Sequence, residues 1–189
     1  MPPALIPFSI LGEGVSLISV ISLISAAILI LLDQFSKLWA VAQLKDGTVM
    51  PVIEGVFEFR YTENHGVAFS MLQGQRWLFI PLTILVALVI MIVMFRSPLR
   101  KRLLFSTTCV LIFSGAVGNL IDRIAYGYVI DFLYFRLIDF PIFNFADCCV
   151  VVGSVLMFLF VLFGMKGEED TPLRTLFFGI SVKKEKKDG

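Results

Sequence analysis

Charged side chains are scarce in this 189-residue chain. They account for 16% of the residues, and hydrophobic side chains account for 58%, whereas a soluble domain usually carries about 25% charged residues. Together with a mean hydropathy of +0.89, this excludes a chain whose main solvent is water. The net charge is only +1, so we expect no nucleic acid or other strongly anionic partner.

Residues that bind metals or form disulfides are scarce as well. The chain has one His and three Cys, of which Cys148 and Cys149 are adjacent and Cys109 falls within an apolar segment. These residues form neither a spaced disulfide framework nor a metal-ligand pattern. A single His also argues against a Ser-His catalytic triad. We therefore expect a site that works without a metal ion or any other cofactor.

Long apolar segments are abundant. A membrane-spanning helix needs about 20 apolar residues, and the segments 15–32, 77–95, 103–121 and 148–165 contain no Lys, Arg, Asp or Glu. They predict four helices at about 15–33, 77–95, 103–122 and 147–165. No basic residue precedes the first segment, which is longer than the apolar part of a cleaved signal peptide, about 7–15 residues. We interpret it as a retained helix.

The basic residues predict the orientation in the membrane. Ten of the sixteen lie in the short 96–102 connection and in the tail after the fourth segment. Because cytoplasmic loops carry an excess of Lys and Arg, we expect both termini in the cytoplasm and the loops 33–76 and 122–147 at the outer face. We predict one membrane domain over residues 1–166 and a charged cytoplasmic tail over 167–189.

The first outer loop, residues 34–76, has the alternating pattern of β-strands. Phe57, Phe59 and Tyr61 alternate with polar residues, which is the period of a strand with one buried face. We predict strands over 48–53 and 56–62, resting on the bilayer. Gly66 follows them, where a tight backbone turn or close approach to another chain is permitted.

Four acids lie between the third and fourth apolar segments, namely Asp122, Asp131, Asp139 and Asp147. Ionisable residues beside hydrocarbon are a functional-site hypothesis by default. Asp131 has apolar neighbours and no basic residue within four positions, which raises the pKa of a carboxyl. Asp147 opens the fourth helix, where the helix dipole favours a carboxylate. An ordinary capping Asp is the simpler interpretation there.

Two carboxyls in different surroundings can work as an acid and a base. If Asp131 and Asp147 meet, one can activate a water while the other polarises or protonates a carbonyl. Asp139 is an alternative partner, although Pro141 close behind it suggests an exposed turn. Asn144 shares the direction of Asp147 if the helix begins by then. Spacing alone leaves the pairing open.

Two further polar groups stand at the predicted helix ends. Asp33 and Lys37 share a helix face and predict an ion pair with Lys37 reaching toward the lipid headgroups; alternatively they fix another loop or a substrate head group. Asn119, Asp122 and Arg123 close the third helix. We interpret them as supports that orient other groups, with Asp122 ionised beside Arg123, or else as plain interfacial anchors.

Five short motifs resemble those of the lipoprotein signal peptidase (signal peptidase II) family, which consists of bacterial membrane aspartyl proteases. They are DQFSK (33–37), NHGVAFS (64–70), GNLIDR (118–123), GYVIDF (127–132) and FNFAD (143–147). Each motif is modest alone, but their order on a frame of four apolar segments is specific. Two positions depart from the family pattern: His65 stands where a small residue or Pro is more usual, and Cys148 where Ser is common.

The resemblance implies a membrane all-α fold of four transmembrane helices with a small extracytoplasmic β-cradle and a mobile loop. It implies an aspartic endopeptidase of the bacterial inner membrane that removes the signal peptide from diacylglyceryl-modified prolipoproteins, just before the lipidated Cys. By position, Asp131 and Asp147 match the catalytic pair. The supporting or substrate-contacting positions are Asp33, Lys37, Asn64, Gly66, Ala68, Asn119, Asp122, Arg123 and Asn144.

The expected partners are a diacylated prolipoprotein and membrane lipid, and the chain is expected to act as a monomer. Rival interpretations are a small transporter component that uses the acids as a proton relay and a non-enzymatic membrane scaffold. A presenilin-type protease is disfavoured, because its Tyr-Asp and Gly-x-Gly-Asp signatures are absent from the sequence.

Overall fold

The computed structural model describes residues 17–66, 76–96 and 103–164. Within these ranges the helices and strands are α1 (Leu17–Leu44), β1 (Val49–Ile53), β2 (Phe57–Asn64), α2 (Arg76–Arg96), α3 (Leu103–Ala125), β3 (Val129–Tyr134) and α4 (Phe145–Leu159). A 3₁₀ turn at Arg136–Ile138 follows β3, and Phe160–Gly164 continues α4 as a π-helix. The structure is thus mostly helical with one small sheet, as predicted.

Within the part of the chain that the structure describes, three helices have the length and composition needed to cross a membrane: Leu17–Leu44, Leu103–Ala125 and Phe145–Phe163. The remaining helix contributes a shorter apolar stretch, Ile80–Phe95. Large apolar side chains such as Ile24, Leu85, Ile124 and Phe158 are exposed on all four helices. In water such a surface would be unfavourable, but hydrocarbon is a suitable solvent for it.

The first helix is longer than predicted. It does not end near residue 33 but continues to Leu44, so the first eleven residues of the predicted loop 34–76 are helical. The apolar segment ends where Asp33 appears, yet Asp33, Lys37, Ala40 and Leu44 are all buried and recur at helical spacing. The buried face of α1 therefore continues past residue 33 and includes polar residues. A search for apolar residues alone does not detect this part of the helix.

The sheet contains both predicted strands and a third that was not predicted. Its order is β1-β2-β3, with antiparallel pairs throughout. β3 pairs with β2 so that Asp131 lies opposite Thr62 and Val129 opposite Asn64. The sequence of β3 is apolar except for Asp131, and a short apolar run of this kind cannot be assigned to a strand by periodicity.

Helix α3 lies at the centre of the helical part and packs against the other three helices. Small residues bring it close to α4: a Cβ at Gly115 would collide with the Ala146 carbonyl oxygen, and one at Gly153 of α4 would lie 2.8 Å from Ile112. A hydrophobic core cluster of Ala40, Leu44 and Phe132 joins the end of α1 to the sheet. The sheet is thereby fixed against the helices that carry the polar residues.

Candidate active site

Strand β3 brings Asp131 into the protein interior. Its side chain is buried, with only 1% of the residue exposed. Two amide groups donate to its two oxygens: Asn64 Nδ2 lies 3.0 Å from Oδ2, and Asn144 Nδ2 lies 2.6 Å from Oδ1. The carboxyl is therefore held on one side by β2 and on the other by the residue that begins α4.

Asp147 lies in the first turn of α4, but it is not the N-cap residue. The N-cap is Asn144, whose Oδ1 accepts a hydrogen bond from Asp147 N at 3.0 Å. Asp147 Oδ2 in turn accepts one from Asn144 N at 3.1 Å. This reciprocal pair is a capping box, so Asp147 takes part in capping the helix as expected, but it does not open it, because α4 begins at Phe145. Asp147 Oδ1 accepts from Asn119 Nδ2 at 2.8 Å.

Two asparagines join the carboxyls into one network. Asn144 Nδ2 donates both to Asp131 Oδ1 and to Asn119 Oδ1, the latter at 3.1 Å, which uses both of its N–H groups. Asn119 then contacts Asp147. Four residues from a strand and two helices thus converge, although Asp131 and Asp147 are distant in sequence. We call Asp131 and Asp147 the Asp pair.

A buried charged cluster lies behind this network. Lys37 Nζ is 2.9 Å from Asp33 Oδ2, 2.9 Å from Asp122 Oδ2 and 2.9 Å from Asn119 Oδ1. The predicted ion pair between Asp33 and Lys37 is therefore confirmed. Lys37 is only 1% exposed, so the prediction that it reaches the headgroups is wrong. The reason is that α1 continues to Leu44 and carries this face into the protein interior.

Asp33 reaches across α3 to the start of α4. Its Oδ1 accepts a hydrogen bond from Ala146 N at 2.9 Å, which satisfies one of the free amides of the first helical turn. The contact passes Gly118 of α3, where a Cβ would lie 2.5 Å from Asp33 Oδ2. Only a residue without a side chain leaves room for this carboxylate.

The charges of Asp122 and Arg123 interact, but Arg123 is not the cation that contacts the Asp122 carboxylate. The cation in contact with the Asp122 carboxylate is Lys37, and Asp122 Oδ2 also accepts from Ile130 N at 3.1 Å, which ties α3 to β3. Arg123 instead donates through Nη2 to the Gly66 carbonyl oxygen at 3.2 Å. Neighbours in sequence point in different directions on a helix, so their side chains need not face each other.

Of the two loop residues assigned by resemblance, one is described. Gly66 is buried, and its N–H donates to Asn64 Oδ1 at 3.0 Å. Asn64 therefore holds Asp131 with its amide nitrogen and the turn with its amide oxygen. Ala68 lies outside the described residues.

Asp139 is separate from this site. It is exposed, has a positive φ of 49°, and accepts a short hydrogen bond from the Tyr134 hydroxyl. The expected turn is present at Asp139. Asp139 contacts Tyr134, so the structure does not support Asp139 as the alternative partner in the acid pair. His65, the first family departure, is exposed and lies beside Tyr128 with ring centroids 5.2 Å apart.

A groove of about 680 Å³ ends at the Asp pair. Its polar end is formed by Asn64, Asn119, Arg123 and the two carboxyls, and its walls are mainly apolar. The wall residues include Thr83, Val129, Phe140, Phe143, Cys148, Val150 and Val151. The groove therefore suits an apolar ligand that carries one polar group to be brought to the carboxyls.

Burial sets the protonation of Asp131. Its removal from water, together with the nearby charge of Asp147, raises the pKa of Asp131 from 3.8 to about 7. The amides of Asn64 and Asn144 oppose the rise by donating to the charged form. Near neutral pH this carboxyl therefore retains a proton for part of the time, which is what a general acid requires.

Sequence reasoning missed Gln34. Its Nε2 lies 3.1 Å from Asp33 Oδ2, 3.1 Å from Asp122 Oδ1 and 3.2 Å from the Gly118 carbonyl oxygen. Two N–H groups can serve only two of these three acceptors at once. The available signal was a polar residue beside Asp33 in an otherwise apolar helix. In the described part of the chain, no group of three or more His, Cys, Asp or Glu side chains could hold a metal ion.

Comparison with known proteins agrees with this geometry. The family model for signal peptidase (SPase) II matches residues 25–163. The lipoprotein signal peptidase of Clostridioides difficile is 43% identical over 137 residues, which cover 72% of this chain and 90% of that protein. That of Halothermothrix orenii is 42% identical over 134 residues, covering 71% and 90%.

Two solved structures, both described as bacterial membrane enzymes, have a similar fold. One has a TM-score of 0.71 at 27% identity and covers 80% of this chain and 93% of its own. The other has a TM-score of 0.69 at 30% identity and covers 76% and 93%. The family match spans the groove, the Asp pair and the buried charged cluster. The chain belongs to the signal peptidase II family, a family of bacterial membrane proteases.

Proposed function

We propose that the protein is an aspartic endopeptidase that removes the signal peptide from diacylglyceryl-modified prolipoproteins, with Asp131 and Asp147 as its catalytic residues. One observation carries this proposal. The buried carboxyl of Asp131 and the partly buried carboxyl of Asp147, from different elements, share one asparagine network at the polar end of an apolar groove. Membership of the family supports prolipoproteins as the substrate class.

The Asp pair supplies the chemistry of amide hydrolysis. Asp131 carries the proton and polarises the scissile carbonyl, and Asp147 accepts a proton from the attacking water. The water oxygen bonds to the carbonyl carbon, the C–N bond breaks, and the amine of the lipidated Cys leaves with a proton from the pair. Because the two carboxyls interact, they titrate together as a pair.

The groove accounts for the substrate. A signal peptide is a run of apolar residues, and diacylglyceryl chains are hydrocarbon, so both favour apolar walls. The polar end supplies donors from Asn64 and Arg123, which can hold backbone carbonyls beside the scissile bond. Asn64, Gly66, Ala68 and Arg123 are proposed to contact or position the substrate. Asp33, Lys37, Asn119, Asp122 and Asn144 are proposed to hold the carboxyls.

The proposed setting is the bacterial inner membrane, crossed four times by α1 to α4. Both termini lie in the cytoplasm, and the sheet and the Asp pair lie near the outer face. This topology is supported by the excess of Lys and Arg in 96–102 and in the tail. We further propose one protease domain over residues 1–166, a cytoplasmic tail over 167–189, and a monomeric enzyme.

The test is cleavage of a purified diacylglyceryl-modified prolipoprotein by Asp131→Asn and Asp147→Asn in detergent or proteoliposomes. Each variant is expected to lose on the order of 10²–10⁴-fold in rate while staying folded. Asp139→Asn, at an exposed acid of the same connection, is the matched control and is expected to cleave normally. The unlipidated precursor is expected to remain uncut. Normal cleavage by either Asp-pair variant would refute the proposal.

A further inference from the structure

We infer that Lys37 is a positioning residue for the proposed reaction: its ammonium group fixes the orientation of the Asn119 amide and thereby the position of Asp147. The inference rests on the proposed catalytic role of the Asp pair and assigns a specific action to a residue that touches neither carboxyl of the pair. The geometry that carries it is the chain of hydrogen bonds from Lys37 through Asn119 to Asp147.

The donors of Lys37 are fully used. An ammonium group has three N–H donors, and Lys37 Nζ has three acceptors at 2.9 Å, one each on Asp33, Asp122 and Asn119. The group is buried, so a donor that lost its acceptor could not turn to water and would remain unpaired at a cost. Lys37 therefore requires an oxygen, not an amide nitrogen, at the Asn119 position that faces it.

This requirement determines which way the Asn119 amide points. Its Oδ1 accepts from Lys37 Nζ and from Asn144 Nδ2. Rotating the amide by half a turn would set its NH₂ group against both donors and turn its oxygen toward the Asp147 carboxylate. The observed orientation instead aims Nδ2 at Asp147 Oδ1, 2.8 Å away. Lys37 and Asn144 thus act from opposite sides to make Asn119 a donor to Asp147.

The charge of Lys37 acts on the pair as well. The charged groups in direct contact with Lys37 are Asp33 on α1 and Asp122 on α3. Arg123 on α3, Asp147 and the Cys149 thiol on α4, and Asp131 on β3 surround this cluster. Lys37 lowers the pKa of Asp131, although burial and Asp147 raise it by more. Removing this positive charge would raise the pKa of Asp131 further.

Orientation and charge can be separated with two substitutions. Lys37→Met removes both the donors and the charge, whereas Lys37→Gln removes the charge but keeps an N–H that can donate to Asn119 Oδ1. Lys45→Met is the control, because Lys45 pairs with Glu63 at the surface, with its side chain 52% exposed. The measurements are kcat and KM for a diacylglyceryl-modified prolipoprotein between pH 5 and pH 9, with thermal unfolding to verify the fold.

Lys37→Met is expected to lower kcat on the order of 10–100-fold with little change in KM, because a small displacement of a catalytic group is costly. Lys37→Gln is expected to retain a higher kcat than Lys37→Met. In both variants the pH–kcat profile is expected to move to higher pH, because the charge of Lys37 lowers the pKa of Asp131. Lys45→Met is expected to match the parent protein. Where Lys37→Met does not fold, Lys37→Gln serves for the pH measurement.

A double-mutant cycle with Asn119→Ala tests the route. If Lys37 acts through Asn119, then Lys37→Met, which removes the donor to Asn119, costs much less in an Asn119→Ala background than in the parent. Additive losses, or a pH profile that stays in place in the Lys37 variants, would overturn the inference. Asp131→Asn and Asp147→Asn are assayed alongside. If they retain activity, the proposed function fails; if they lose it while the Lys37 variants behave as the parent, only this inference fails.

Discussion

Replacing Asp131 by Asn is expected to lower the rate of cleavage strongly, and the stability of the variant relative to the parent is expected to increase as the pH rises. Burial and Asp147 place the folded-state pKa of Asp131 at about 7, some three pH units above its ordinary value of 3.8. Each pH unit corresponds to about 1.4 kcal/mol. The buried carboxyl therefore costs the folded state up to about 4 kcal/mol of stability above neutral pH.

The sign follows from which state binds more protons. Below about pH 4 the carboxyl is protonated in both states, so the unfavourable contribution is absent. Between about pH 4 and pH 7 the folded state keeps the proton that the unfolded chain has lost, so stability falls as the pH rises through this window. Asn has no proton to lose and avoids this fall at every pH. It has one acceptor oxygen for the amides of Asn64 and Asn144, which costs about 1–3 kcal/mol at every pH.

Asp131→Asn is therefore expected to be less stable than the parent at pH 4 and to gain relative to it on the way to pH 8. Chemical denaturation in detergent micelles at several pH values measures the difference in unfolding free energy. The matched control is Asp139→Asn, at an exposed acid, whose difference from the parent is not expected to follow this pattern. A difference for Asp131→Asn that is constant with pH, or that falls, would refute the reasoning about burial.

Three further predictions follow from the same geometry. Gly118→Ala places a Cβ 2.5 Å from Asp33 Oδ2, so it is expected to lower the thermal midpoint, with a loss of about 1–3 kcal/mol; an unchanged midpoint would contradict the close approach. Cys148→Phe narrows the groove and is expected to raise KM severalfold, whereas Val155→Phe at an exposed position of the same helix leaves KM unchanged. The pH profile of kcat is expected to be bell-shaped, because the Asp pair must hold one proton; a profile with a single titration would count against a shared proton.

Much of the fold could be read from local patterns. Apolar segments placed α2 within a residue of its observed ends, and alternation placed β1 and β2. These features depend on neighbours in sequence, so local patterns can predict them. No local pattern predicts β3, because its pairing with β2 is a long-range contact. Asp131 is the one acid in this otherwise apolar strand, and Asp147 lies outside it.

The sequence likewise predicted the candidate residues of the site but not all of their contacts. The ordered motifs identified Asp131, Asp147 and their neighbours as candidates, since residue types and order are properties of the sequence. They did not show that Lys37 contacts Asp122 rather than the headgroups, or that Gln34 and Gly118 take part. Those contacts join residues more than 80 positions apart, and they exist only after α1 and α3 have packed.

Local residue patterns are enough to identify the solvent of this protein, its apolar helices, two of its strands and the acids available for chemistry. Which acids meet, which amides donate to them and which cation compensates their charge depends on how the helices and strands pack. Burial and hydrogen-bond direction arise only when these elements have assembled. A buried carboxyl acquires its proton affinity from everything packed around it, and most of those groups reach Asp131 from distant parts of the chain.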